Sequence, residues 1–417
     1  MVTTVTKTIG TGGVFSTLAL WESGAPASLT TAEKSAAGTF AVASFTQGET
    51  LTFVGSGATG VFLDTDSTGV GTGTYVTYGI TTGNPAASDV VTGGSSAATC
   101  VLSSSTPMDT GIIWQGQQLN EELSGTGTRL NISGSTASST AYKHITTASG
   151  ASFNDNANKL TNALRYNSAN GAAIKGTSAN TQTVVIGETG ARVTDLQIAA
   201  TGSGGFALSF AAGSAPFLVD QCILEGTYAA TADNRGVFYS VSQSPTVSNT
   251  AIIQKASAAD HIIGTGTGSP NFYNCTIAAA DDLATAPTSV FLSGASGTVT
   301  VQNCGMFAGD STKAIKAGSA TFNFTTCYSD ISGTSGVTQA TYSSEFENIN
   351  DATLDLRLKT GAAQIDTGTT DATNAPVDIV GTARPQGSAY DVGAWELIAA
   401  SGIAIPVILR QFSARWD

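Results

Sequence analysis

The chain has 417 residues, a net charge of −13 and only 11% charged residues, against about 25% in ordinary soluble domains. Clustered lysine and arginine, needed to neutralise phosphates, are missing, so nucleic acid is excluded as an expected partner. Glycine counts 48, Leu/Glu/Lys-rich helical windows are absent, and all-β architecture is the expected class.

The start, "MVTTVTKTIGTGG", lacks the basic stretch and apolar core of a secretory signal, so the chain is expected to be made in a host cytoplasm and to stay there or leave inside something larger. No apolar run reaches the ~18 residues of a membrane-spanning helix, and membrane insertion is not expected. Residues 1–35 are read as an N-terminal cap. A glycine-rich turn leads to residues 16–22, where Leu18, Leu20 and Trp21 suit a short helix. This entry, with "WQGQQLNEEL" at 114–123 as its acidic counterpart, resembles that of right-handed parallel β-helix proteins of the pectate-lyase-like superfamily. There a short amphipathic helix plugs the first coil.

Residues 36–110 read as an inserted small β domain with an internal duplication. Residues 49–63, "ETLTFVGSGATGVFL", match 89–102, "DVVTGGSSAATCVL", at a constant offset of 40, pairing Glu49 with Asp89, Leu51 with Val91 and Ala58 with Ala98. The repeat resembles a glycine-turn β-unit of tailed-phage structural proteins. It either projects from the body to make contacts or forms a thick cap.

Residues 111–398 carry the main repeat. Six stretches align without gaps: "VTDLQI" from Val193, "VDQCIL" from Val219, "VSNTAI" from Val247, "FYNCTI" from Phe272, "VQNCGM" from Val301 and "FTTCYS" from Phe324. The starts are 26, 28, 25, 29 and 23 residues apart. One period holds two or three short strands, about one coil of a parallel β-helix. The third position reads Asp195, Gln221, Asn249, Asn274, Asn303, Thr326, and Asn249, Asn274 and Asn303 are expected to form a side-chain ladder at a turn. The fourth reads Leu196, Cys222, Thr250, Cys275, Cys304, Cys327. Five cysteines without a CxxC argue against a disulfide framework and a zinc knuckle. Cys222, Cys275, Cys304 and Cys327 read as small, reduced core residues.

The stretch 355–397 contains Ile365, Asp366, Gly368, Asp378, Gly381, Arg384, Asp391, Gly393, Ala394 and Glu396. It resembles the terminal coil of right-handed β-helix surface proteins, with their "AxDxG … DxxGxxR … DxGAxE" pattern. Arg384 is expected to pair with Asp378 or Asp391 and, with Glu396, to cap the last coil. Residues 399–417 read as a C-terminal docking tail. Phe412, Arg415 and Trp416 are its anchors on a partner, with packing along the chain's own rod as the alternative.

Catalysis is not expected. Glycoside hydrolysis needs two carboxylates about 5–10 Å apart across a groove. Asp281 and Asp282 are adjacent, Asp155 reads as turn chemistry, Asp260–His261 as the start of a strand, and His144 lies in the alternating strand "YKHITT". No phosphate loop, HExxH or GxSxG motif appears. Convergence of carboxylates from different coils stays open. No cofactor or metal is expected.

The resemblances together imply a right-handed parallel β-helix virion protein of a tailed bacteriophage, non-enzymatic, serving as capsid decoration or head fibre on the virion surface. They imply a major capsid protein or other virion proteins as partners, and a homo-oligomer, with a trimer as one form. The alternative is a tailspike or receptor-binding protein that holds or cleaves host surface polysaccharide.

Overall fold

The structure is a computed structural model. It describes residues 2–37, 45–65, 75–156, 159–202, 204–211, 216–226, 237–240, 242–255, 261–283, 285–294 and 296–398. Among them, strands dominate and the two α-helices, Leu18–Ser23 and Tyr342–Glu345, are short. No helix is long and apolar enough to cross a membrane.

Three parallel sheets form the body. The first runs Thr3–Ile9, Ile112–Gln118, Lys143–Thr147, Arg192–Thr194 and on to Thr321–Thr325. The second runs from Glu122–Gly125 to Val337–Gln339, and the third from Leu130–Ile132 to Ala314–Gly318. From residue 112 to 329 the chain visits the sheets in one cyclic order, adding a strand to each in turn, and Val337–Gln339 then adds directly to the second sheet. The nine strands of the first sheet span about 38 Å at the usual inter-strand spacing of ~4.8 Å.

The gapless repeat is the register of this stack. Val193 pairs with Val219, Val219 with Val247, Val247 with Phe272, Phe272 with Val301, and Val301 with Phe324. All but the half-exposed Phe324 are fully buried. Each fully buried aliphatic or aromatic side chain contributes about 1.5–3 kcal/mol. Phe210, Phe238, Phe272 and Phe291 meet ring to ring between coils at 5.5 to 5.6 Å.

Thr17 caps the helix Leu18–Ser23 by accepting from the Leu20 amide at 3.2 Å. Leu18 and Trp21 are buried in the main core, whereas Leu20 points outward at 50% exposure. Gly116 makes room for this: a Cβ there would lie 2.6 Å from Ile9 Cδ1 and 2.7 Å from the Trp21 ring. At the opposite end of the stack the Lys316 ammonium sits 5.3 Å from the ring centroid of Phe322, in the last strand of the first sheet. A lysine stem can cover apolar surface in this way while its charge stays wet.

Residues 33–110 form a seven-stranded antiparallel sheet with its own core, closed by a bridge between Ala37 and Leu102. The duplication is a local two-fold. Strands Thr50–Val54 and Val90–Gly93 cross at Thr52 opposite Thr92, with Leu51 opposite Gly93 and Phe53 opposite Val91. Each copy clips the other's turn. Glu49 accepts from the Ser95 and Ser96 amides and hydroxyls at 2.6 to 3.0 Å. Asp89 accepts from the Ser56 amide and hydroxyl at 2.9 and 2.6 Å. These hydrogen bonds outweigh desolvation and hold Glu49 down at about 2, with Asp89 also lowered. Lys7–Asp64 at 3.1 Å, a Thr3–Asp109 hydrogen bond and Leu63 in the main core join this unit to the first strand.

Candidate functional site

The third-position column is a backbone feature first. Asp195, Gln221, Asn249, Asn274, Asn303 and Thr326 all have positive φ, between 46° and 62°. Each turns the chain from the first sheet into the second. Asn and Asp tolerate this left-handed conformation better than other non-glycine residues. A β-branched residue pays most there, which makes Thr326 the poorest member of the column.

The expected amide ladder is present at one rung, Asn303 Nδ2 donating to Asn274 Oδ1 at 3.3 Å. The other amides turn elsewhere. Asn249 Nδ2 donates to Asp220 Oδ1 at 2.9 Å. Gln221 donates to the Asp378 carbonyl at 3.1 Å, Asn274 to the Asp391 carbonyl at 3.3 Å, and Asn303 to the Thr369 carbonyl at 2.6 Å. The column is thus a docking strip for the C-terminal segment.

That segment does not sit where the terminal-coil reading puts it. It lies along the outer face of the second sheet, not over the end of the stack. Ile379, Val380, Val392, Ala394 and Trp395 share one apolar cluster with Ile223, Ala251, Ile253, Ala278 and Phe307. The physical reason is the apolar outer face of those strands, which a segment of this composition covers. Within the segment, Arg384 is paired with Glu396 at 2.8 Å rather than with either aspartate, both side chains fully buried. Its guanidinium also donates to the carbonyls of Asp391 and Gly393 at 2.8 Å. Asp378 accepts from the amides of Val380, Thr382 and Glu396. Asp391 accepts from those of Asp366 and Leu397 at 2.8 and 2.6 Å. Burial pushes Asp378 up and Asp391 up to about 6.

The thiols of Cys222, Cys275, Cys304 and Cys327 are free and buried, directed at carbonyls of their own and neighbouring coils, as in Cys327 to Val301 at 3.3 Å. Burial raises Cys222, Cys304 and Cys327, the last to about 11. Buried, hydrogen-bonded thiols of this kind are inert structural groups. Among the described residues, no group of three or more His, Cys, Asp or Glu side chains is placed to hold a metal.

Carboxylates of successive coils do meet, at a place the sequence reading left open. Thr194 pairs with Asp220 across the first sheet, bringing Asp195 and Asp220 together. Asp195 accepts from Thr146, Thr194 and Asn154 at 3.0, 2.7 and 2.8 Å. Asp220 accepts from Ser248 at 2.6 Å and from Asn249. His144 joins through Thr194 and Gln115, each at 3.1 Å. Burial and neighbouring Arg192 lower this histidine to about 4, so it is neutral at pH 7. Arg192 itself stacks 4.2 Å from the Tyr142 ring centroid. Both carboxylates are engaged by neutral donors of the first sheet, its turns and the neighbouring loop at Asn154.

Among the remaining acidic candidates, Asp282 accepts from the Asp351 amide at 2.6 Å, and Asp281 lines an open cleft together with Asp310 and Asp330. Asp155 accepts from the Gly150 amide at 3.0 Å. His261 is buried in the third sheet, and Asp260 lies outside the described residues. So do Phe412, Arg415 and Trp416. The sequence reading missed a buried cluster of Lys143, Glu22 and Glu188 between helix and coils. Its only signal is a lysine at an inward position of "YKHITT".

Compared with protein-family models, with curated proteins and with solved structures, the chain gives no match.

Proposed function

We propose that this chain is a non-enzymatic structural protein of a tailed-bacteriophage virion surface, a capsid decoration or head fibre. In this reading it is a right-handed parallel β-helix, with the helix Leu18–Ser23 as its cap and residues 33–110 as a side unit. The supporting observation is how its acidic groups are used. Asp378, Asp391, Glu396, Glu49 and Asp89 accept from turn amides, and Asp195 and Asp220 from side chains within the first sheet. Such carboxylates fix a scaffold through turns and sheet contacts rather than serving as a free acid–base pair. The virion assignment rests on the sequence resemblances, as do the partners, which are the major capsid protein or other virion proteins together with further copies of this chain.

The polar face around His144, Arg192, Asp195 and Asp220 favours a second reading, a tailspike or receptor-binding protein that holds host polysaccharide. The two readings separate cleanly. Virions lacking this protein should still adsorb and infect, and a virion reconstruction should place its density on the head. Depolymerisation of host capsule or lipopolysaccharide by the purified protein would sink the structural reading.

A further inference from the structure

Lys143 occupies an inward position of its strand, where neighbouring coils carry apolar residues. Its side chain is 1% exposed, and the ammonium lies 2.8 Å from Glu22 Oε1, 3.0 Å from Glu188 Oε2 and 2.6 Å from the Ser133 carbonyl. Glu188 is as buried, at 2%. Its Oε2 also accepts from the Ser135 amide at 2.9 Å, while its Oε1 is buried and has no hydrogen-bond partner. Lysine nitrogen and carboxyl group are thus held together out of bulk water, with a second carboxylate touching the nitrogen.

We propose that this cluster is a modification site at which Lys143 and Glu188 condense into an amide, stapling two coils covalently. Nζ bonds to Cδ of Glu188, and the bond from Cδ to Oε1 breaks. The ammonium loses two protons, and both end on the departing oxygen, which leaves as water. Glu22, in contact with Nζ, carries protons from nitrogen to oxygen and is regenerated, so no oxidant or co-reactant is required. The Ser135 amide holds the oxygen that stays as the new carbonyl, as backbone donors do in acyl transfer. The Ser133 carbonyl keeps the remaining N–H. An open cleft of about 540 Å³, lined by Glu22, Ser133, Ser135 and Lys143 among others, lets the water out. Burial raises Glu22 from its ordinary value despite the pull of Lys143, the direction that favours taking up a proton in transit.

The test is the intact mass of the purified full chain, followed by peptide mapping. The proposal expects a mass one water below that of the sequence, with Lys143 resistant to trypsin and its peptide joined to the one containing Glu188. Lys143→Arg keeps the charge and should restore the full mass. Glu188→Gln should release ammonia instead of water, and Glu22→Gln should leave the two residues unlinked in a chain that still folds. A folded wild-type chain of full mass would overturn the proposal and leave an ion cluster only. So would a lost water mapped to another pair of residues.

Discussion

Replacing Arg384 with alanine tests how the C-terminal segment is held. The guanidinium is fully buried with Glu396 and donates to the carbonyls of Val377, Asp391 and Gly393. Its removal leaves the Glu396 charge buried without its cation, which costs about 3–5 kcal/mol. Three carbonyls also lose a donor. Glu396 still accepts from the Gln386 and Asp391 amides at 2.8 and 3.1 Å, so we expect the lower part of that range, about 3–4 kcal/mol. Urea denaturation followed by near-ultraviolet circular dichroism measures the loss. Hydrogen exchange should place it in residues 364–397 and the outer face of the second sheet, with the first-sheet strands still protected. Arg384→Met combined with Glu396→Gln removes both charges and should recover part of the loss. A cost of Arg384→Ala below about 1 kcal/mol, in the range of an exposed pair, would refute the argument, as would a double variant less stable than the single.

Cys275→Ala should leave function intact and cost about 1 kcal/mol, the scale of a small buried group. Asn274→Leu should cost more, since it strains a φ of 49° and drops the Asp391 contact; equal melting temperatures for the two would contradict the column's role. Gly116→Ala should cost at least 1–3 kcal/mol by overpacking against Trp21 and Ile9, seen as loss of tryptophan emission protection; a neutral result would mean that the helix does not rest there. Glu49 is held at about 2, below its unfolded value, so its stabilisation is complete above the unfolded pKa of 4.5 and is lost as pH falls toward 2. The side unit should therefore melt first in acid, and Glu49→Gln should flatten that dependence. Asp391 has the opposite sign. Raised from 3.8 to about 6, it favours the fold while protonated, so its contribution falls as pH rises from 4 through 6 and vanishes as a slope in Asp391→Asn.

Much of the stack was legible because its signal is local and periodic. Val193 through Phe324 alternate with polar neighbours, and one small polar residue follows each at a fixed distance. The same spacing exposed the Glu49–Asp89 duplication. What it hid was that each carboxylate clips the other copy's turn, a contact 33 to 47 residues away. Coils before residue 190 escaped the repeat because the stretch 148–172 interrupts their spacing. Lys143 broke the hydrophobic pattern, and its partners lie 121 and 45 residues distant, in a short helix and a loop with no periodic mark. The C-terminal motif carried its own pairing logic but no address. Only the apolar outer residues of the second sheet, scattered over coils from Ile223 to Tyr328, say where it belongs.

That address sets an order of events. The face formed by Ile223, Ile253, Ala278 and Phe307 is complete before the ribosome reaches the segment that covers it. A nascent chain paused near residue 340 presents a flat, apolar, two-sided stack to other chains. Premature termination should therefore yield aggregates rather than shorter soluble rods, and delayed supply of the final ~60 residues should be the step at which chaperones matter.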